Sequence, residues 1–543
     1  MTRQYKGHSK TIKSLAGKAE KGVLVAQFQL HEYYDKGKYV DRDEAQSQKY
    51  LKMLEDSLIG KNIRLKSLSL SNFRRFHSLD IDFDEKITVI IGDNGAGKTS
   101  FAEAMSKIFS WFNNNLEKDD VNGKPITVSD INVSATDYAE ITGRLQLDKV
   151  NMFDASLVRT FPGFAGSLSS EVSTIKQFGA MYRKAANNTK IMIPLLAFYS
   201  VDRSSFSLKQ EVSEKISGEA TNNRFSALKD ALEGSGRLDS FSELYIELVN
   251  LAEGEETKEV KNLRAQVATL ERSIAEVYEG TLPPSGDPFL ARLNSKREEL
   301  ASTLSSVRSA KHQRHLSLVH RAIETLVPGV KNLEIDRSSG KARLLVENFG
   351  NKVNITQLSQ GQKMLVALAG DLARRLVTLN PEADEPLNCH GIVIIDEVEL
   401  HLHPKWQQEI LLGIQRTFPN IQFIVTTHSP QILSTVDNKC IRQICLDEEG
   451  SLTINTPSFQ TKGVASADIL ARIMGTNSVP EKLEEAIWVS KYYECLNNSD
   501  DKGANRYFDL ILTHFGVGHP VVLDCESQRR IIEMRIRLAK DNA

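Results

Sequence analysis

Gly92-Asp-Asn94-Gly95-Ala-Gly97-Lys98-Thr99 constrains this chain more than any other stretch. It fits G-x-x-x-x-G-K-[ST], follows the apolar run Ile87-Thr-Val-Ile-Ile91, and opens an amphipathic helix bearing Phe101, Met105, Ile108, Phe109 and Phe112. Strand, glycine loop and helix form the context this motif requires. Glycines let the backbone curl until its N–H groups converge on a phosphate, and the helix N-terminus adds partial positive charge. Lys98 is expected at the β- and γ-phosphates of a nucleoside triphosphate, with Gly92, Asn94, Gly95, Gly97, Thr99 and Ser100 around it. Thr99 is expected to ligate Mg2+.

The loop needs a second half, and the chain supplies one some 300 residues later. Ile392-Val-Ile-Ile395-Asp396-Glu397 reads as a buried strand ending in two acids. Asp396 would hold Mg2+ through water, and Glu397 would polarise the attacking water. Leu358-Ser359-Gln360-Gly361-Gln362 opens a helix whose N-terminus can bind an anion, although Ser before a helix also serves as a plain cap. Ser359, Gly361 and Gln362 are therefore candidates for nucleotide contact. Thr426-Thr427-His428-Ser429-Pro430 follows another apolar run, which places His428 to reach a γ-phosphate.

At 543 residues the chain is too long for one ordinary domain. Lys and Arg number 68 against 70 Asp and Glu, so no global basic coat exists for nucleic acid, while a local patch stays open. No window approaches ~18 consecutive apolar residues, and Met1–Lys10 lacks an apolar signal core, so no membrane partner is expected. Five cysteines without a Cys-x-x-Cys pair fit a reduced cytoplasm rather than a disulfide framework.

Five segments follow from texture. Residues 1–61 read as helical, and within them Ala19, Gly22, Ala26, Leu30, Tyr34, Gly37 and Ala45 have the spacing of one Sel-like or tetratricopeptide-like repeat; an ordinary helical hairpin fits equally. One copy cannot bury its own face, so it should lean on the next domain. Residues 62–250 begin with the alternating strand Leu65–Phe73, then a strand at Ile81–Phe83 and the glycine loop. In 251–325, Val260, Leu263, Val267, Leu270, Ile274 and Val277 recur at threes and fours. Leu290, Leu293, Arg297, Leu300, Leu304 and Val307 repeat that spacing beyond a Pro- and Gly-rich turn at 280–288, as in a short coiled-coil hairpin or a packed helical pair. Residues 326–462 alternate strand and helix, as a parallel α/β sheet does. Residues 463–543 read as helical with a basic end at Arg529, Arg530, Arg535 and Arg537, either a docking surface or a solvated face.

Together these motifs resemble the ABC-type ATPase heads of the SMC and RecF families. Leu70-Ser-Asn72-Phe73-Arg74 has the form of their opening strand, which implies nucleotide contact by Arg74. The implied fold is a split α/β head with the hairpin inserted and helical segments at both ends. The resemblance also implies a homodimer of heads, with two ATP molecules sandwiched and each γ-phosphate between Lys98 of one subunit and Ser359 of the other. Asp396-Glu-Val-Glu399-Leu-His401-Leu-His403-Pro404 and Tyr199-x3-Arg203 narrow the likeness to the ATPases of Septu and Septu-type retron antiphage defence. His403 stands where many such heads carry aspartate, and Arg203 lies near the expected sensor glutamine. His401-x-His403 is a weak candidate for metal.

Asp500-Asp501 and Asp524 form no Asp-x-Asp, and no HNH constellation is present, so the chain is expected to hydrolyse ATP without cutting nucleic acid. The resemblance implies a separate HNH nuclease, PtuB, as partner. In retron versions it implies a reverse transcriptase with its RNA–DNA product (msDNA), and nucleic acid reached through the complex. The alternative is a RecF/SMC-like DNA-repair ATPase.

Overall fold

The computed structural model describes residues 5–205, 223–234, 241–253, 288–307, 310–337, 342–448, 450–477 and 479–541, with isolated positions between 262 and 274. The chain divides into two compact units, Met1–Lys462 and Gly463–Ala543. Among the described residues no helix is long and apolar enough to cross a membrane.

The first unit is organised by a six-stranded sheet in the order β13-β12-β3-β11-β10-β6. These strands are β3 (Ile87–Gly92), β6 (Leu195–Tyr199), β10 (Gly391–Ile395), β11 (Ile421–Thr426), β12 (Ile441–Leu446) and β13 (Leu452–Asn455). All but β13 run parallel. Every residue of β6, β10 and β11 is buried, which is why they appear in sequence as near-continuous apolar runs, broken in β11 by the buried Gln422, whose amide is bonded to the Leu65 and Asp84 backbone. Strand β11 lies between β3 and β10, so one edge of the sheet gathers Gly92, Thr426 and Asp396 from stretches far apart in the chain.

A four-stranded antiparallel sheet, β2-β1-β4-β5, is built from β1 (Arg64–Phe73), β2 (Phe76–Asp82), β4 (Tyr138–Gln146) and β5 (Met152–Thr160). Strand β2 starts five residues before the expected Ile81, because Phe73 pairs with Phe76 across a tight turn. A third sheet joins β7 (Val330–Asp336), β8 (Arg343–Asn348) and β9 (Asn351–Asn354).

His390 locks the entry to β10. Its Nδ1 accepts the Ile63 N–H at 3.0 Å, so its Nε2 carries the proton donated to Met192 O at 3.1 Å. Burial pushes its pKa down to about 4, which keeps this two-way bridge neutral.

The N-terminal segment is three helices, α1 (Tyr5–Glu20), α2 (Leu24–Lys36) and α3 (Glu44–Leu58), rather than one pair. Ala19, Ala26, Leu30 and Tyr50 form their buried centre, with Tyr34 packed against it. The segment docks on its neighbours through Leu24 N–H to Asn151 Oδ1 at 2.9 Å and Asn188 Nδ2 to Glu55 Oε2 at 2.9 Å.

Helix α4 (Lys98–Glu117) runs from the glycine loop and buries Phe101, Met105, Ile108, Phe109 and Phe112. It packs on α5 (Ser173–Ala185), where a methyl group on Gly179 would stand 2.6 Å from Phe112 O.

Most of the first expected hairpin arm and its turn lie outside the described residues. The second arm is the helix Pro288–Val307. The next helix, Ala310–Leu326, packs against the helix Gln360–Leu379 of the head. In the second unit, Glu484–Asn497, Asp501–Phe515 and Pro520–Asp541 close around Tyr492, Ala504, Ile511, Val522 and Cys525.

Candidate functional site

The glycine loop sits between β3 and α4 with Gly95 and Gly97 in the left-handed region, at φ 78° and 96°. At Gly97 an added Cβ would lie 2.6 Å from the Phe76 ring, so neither conformation nor space admits a side chain. Asn94 is exposed at the loop tip, and the Arg75 guanidinium caps Gly95 O.

Lys98 is 6% exposed, and its Nζ donates to Gly92 O at 2.9 Å and Asp93 O at 3.0 Å. The ammonium is thus folded over the loop. Burial pushes its pKa down, against the pull of Asp396, Glu397 and Glu399.

Asp396 is fully buried between two hydroxyls. Thr99 Oγ1 donates to its Oδ2 at 2.7 Å, and Thr426 Oγ1 donates to its Oδ1. Thr426 also accepts the Glu397 N–H at 2.8 Å, so one threonine of β11 fixes both acids. Glu397 is itself left-handed, at φ 47°.

His428 follows β11 and is half-buried. Burial first, then the neighbouring Lys98 charge, pushes its pKa down, so its imidazole is neutral at neutral pH. Its backbone N–H donates to Glu399 Oε1, while Glu399 Oε2 is buried without a hydrogen bond. Glu399 and Thr426 belong to this cluster, although neither was singled out from sequence as a site residue. Both lie within the motifs around Asp396 and His428, and the two-residue step from Glu397 to Glu399 is the sequence signal for the second acid.

Ser359 caps the helix Gln360–Leu379, and its side chain is exposed. Gly361 lies against the loop that holds the two histidines: a Cβ there would meet His401 O at 2.6 Å. Gln362 is placed differently from a nucleotide ligand. It is 3% exposed, closes the capping box with Ser359, and donates through Nε2 to Asn348 Oδ1 at 2.8 Å and Pro328 O at 3.3 Å. It shapes the helix start. His403 likewise caps a helix, its Nδ1 accepting the Lys405 N–H at 3.3 Å.

Arg74 is also committed internally. Nε donates to Asp130 Oδ1 at 2.9 Å, Nη1 reaches Ser100 Oγ at 3.3 Å, and Nη2 pairs with Glu103. Arg74 and Ser100 therefore brace the first turn of α4.

Burial alone would raise the Asp130 pKa. Bonds from Thr127, Lys107 and Arg74 outweigh burial and hold it down to about 2, against 3.8 for the free side chain. The unfolded chain thus binds the extra proton between these values, so this stabilisation is complete above 3.8 and is lost as pH falls toward 2. We expect Asp130→Asn to lower stability at pH 7 by about 2 kcal/mol, with the gap to the parent chain closing on acidification, as read by urea unfolding across that range.

Comparisons with known proteins identify the relatives of this chain. The AAA ATPase domain family matches residues 64–433. "Retron Vc95 probable ATPase" of Vibrio cholerae serotype O1 biovar El Tor is 30% identical over 93% of the chain and 97% of that relative. "Retron Ec83 probable ATPase" of Escherichia coli is 31% identical over 79% of the chain and 80% of that relative. "Septu protein PtuA" of Bacillus mycoides is 30% identical over 33% of the chain and 24% of its own length.

Proposed function

The chain belongs to the AAA ATPase domain family, among its retron- and Septu-type ATPases, and from that premise we propose that it is the ATP-hydrolysing subunit of an antiphage defence complex. In this reading it is a cytoplasmic sensor and scaffold that controls an associated HNH nuclease of the PtuB kind. In a retron setting a reverse transcriptase and its RNA–DNA product would restrain that nuclease.

The observation that carries the ATPase reading is the 2.7 Å contact of Thr99 with Asp396, residues 297 apart in sequence. A hydroxyl and a carboxylate so close are the hard oxygen donors that Mg2+ takes, beside a glycine loop whose Gly97 has no room for a Cβ against the Phe76 ring. Thr99 and Asp396 would hold the ion, which when bound neutralises charge on the β- and γ-phosphates. Lys98 would shift its ammonium from the loop carbonyls to phosphate oxygens. Glu397 would orient the attacking water and take its proton, and His428 would hydrogen-bond the γ-phosphate.

Ser359, exposed at a helix N-terminus, would meet the γ-phosphate bound by a second subunit, making ATP the glue of a head-to-head dimer. Ser359→Arg should keep ATP binding within its own subunit and abolish ATP-driven dimerisation in light scattering. Normal dimerisation of that variant would contradict the sandwich.

The division of labour is tested by incubating the purified chain with divalent metal and DNA or RNA. We expect no cleavage until the HNH partner is added. Robust cutting by this chain alone would reject the reading.

A further inference from the structure

Arg203 lies in the short turn Val201–Ser205 directly after β6 and is 1% exposed. A buried guanidinium is expected to find a carboxylate, and three acids stand close enough to act on it electrostatically: Asp396, Glu399 and Glu397. Yet its hydrogen bonds go to peptide carbonyls. Nη1 donates to Ser200 O at 2.8 Å and to Asp396 O, and Nη2 donates to Glu397 O at 2.6 Å. Nε is buried without a partner. Two successive carbonyls are thus drawn onto one planar fork across Glu397, whose backbone is left-handed. For a residue with a side chain that conformation costs about 1–2 kcal/mol and persists only where the surroundings enforce it.

The enforcement is visible from both sides of Glu397. Its N–H is held by Thr426 Oγ1 of β11 at 2.8 Å, and its carbonyl by Arg203 from beyond β6, beside the local turn bond from the Leu400 N–H at 3.0 Å. Strands β6 and β11 flank β10, so the turn is clamped from both neighbours. None of these contacts uses the carboxylate, which leaves that group available for chemistry.

We propose that Arg203 is a positioning residue for hydrolysis: its guanidinium, gripping the Asp396 and Glu397 carbonyls, keeps Glu397 in the one backbone conformation from which its carboxylate serves the attacking water. This rests on the reading of Glu397 as the hydrolytic carboxylate. A displacement of about 1 Å at such a group can cost on the order of 100-fold in rate. Lysine is a poor substitute, because a single ammonium lacks the planar fork that spans two carbonyls.

The test is a double-mutant cycle on the full chain, read by steady-state ATP turnover and by affinity for a fluorescent ATP analogue. Arg203→Lys should lower kcat by about 10–100-fold while KM and analogue affinity stay within about two-fold. In the Glu397→Gln background the same substitution should change the residual rate by less than about two-fold, because the group being positioned is gone. Arg203→Gln, which retains donors for one carbonyl, serves for the same comparison should the lysine variant not fold. A kcat near the parent value, an equal loss in the Glu397→Gln background, or a parallel collapse of analogue affinity would each overturn the proposal. If Glu397→Gln by itself leaves turnover intact, the reading of Glu397 fails, and that result is separable from any behaviour of Arg203.

Discussion

Replacing Glu397 with glutamine should lower ATP turnover by about 10³-fold, within the span a positioned general base supplies, while nucleotide affinity stays within about two-fold. The local structure makes this a clean substitution. The three hydrogen bonds that fix residue 397, from its N–H to Thr426 Oγ1 and from Arg203 and the Leu400 N–H to its carbonyl, belong to the backbone and survive the change. Glutamine is close to isosteric, so the left-handed turn carries the same load with either side chain. Asp396, fully buried between Thr99 and Thr426, keeps its partners. Only the proton acceptor is lost. If ATP bridges two heads, a variant that binds and does not hydrolyse should accumulate as an ATP-dependent dimer in size-exclusion chromatography. Single-turnover release of phosphate measures the first effect. An unchanged rate would remove Glu397 from the chemistry.

Much of this site was legible before the structure because its parts are local. Strands β3, β10 and β11 are covered on both faces and read as largely apolar runs, each leading into candidate site residues. The helix Pro404–Thr417 announced itself by proline at its first turn behind His403. The unread features are those in which a distant backbone is the partner. Arg203 donates to carbonyls nearly 200 residues away, and carbonyls leave no side-chain pattern to count. Gln362 looked like part of a nucleotide-facing signature, yet its amide is consumed by Asn348 and Pro328, contacts set by where the β7–β8–β9 sheet packs. The opening-strand resemblance points to Arg74 and gives no role to its neighbour Arg75. The β1–β2 turn sends Arg74 to Asp130 and Glu103 and Arg75 to the tip of the glycine loop. Strands β4 and β5 are not marked in the sequence, since their alternation becomes a sheet only when β4 pairs with β1 and β5 with β4.

Lys98→Met separates the cost of the phosphate site from its use. Lys98 carries its ammonium almost out of solvent, with two loop carbonyls as its hydrogen-bond acceptors. Burial lowers its pKa, so the folded chain holds this proton less tightly than the unfolded one. A lysine so shifted destabilises the fold most below its folded pKa, and the cost fades as pH rises through that value. Methionine keeps the apolar stem and removes the charge, so the nucleotide-free variant should unfold at or slightly above the parent temperature at neutral pH. The ligand side moves the other way. A charge-assisted hydrogen bond is worth about 1.5–3 kcal/mol, so loss of the ammonium should weaken ATP binding by about 10–100-fold. Turnover should fall further, because charge grows on the phosphate oxygens in the transition state and Lys98 is the cation folded over the loop. Thermal melting with and without Mg·ATP reads both effects in one experiment. The parent should gain stability on ligand addition, by mass action on the folded state, and the variant should gain little at the same concentration. A variant that melts well below the parent without nucleotide, yet is stabilised by ATP as strongly, would assign Lys98 to the fold instead of the phosphate.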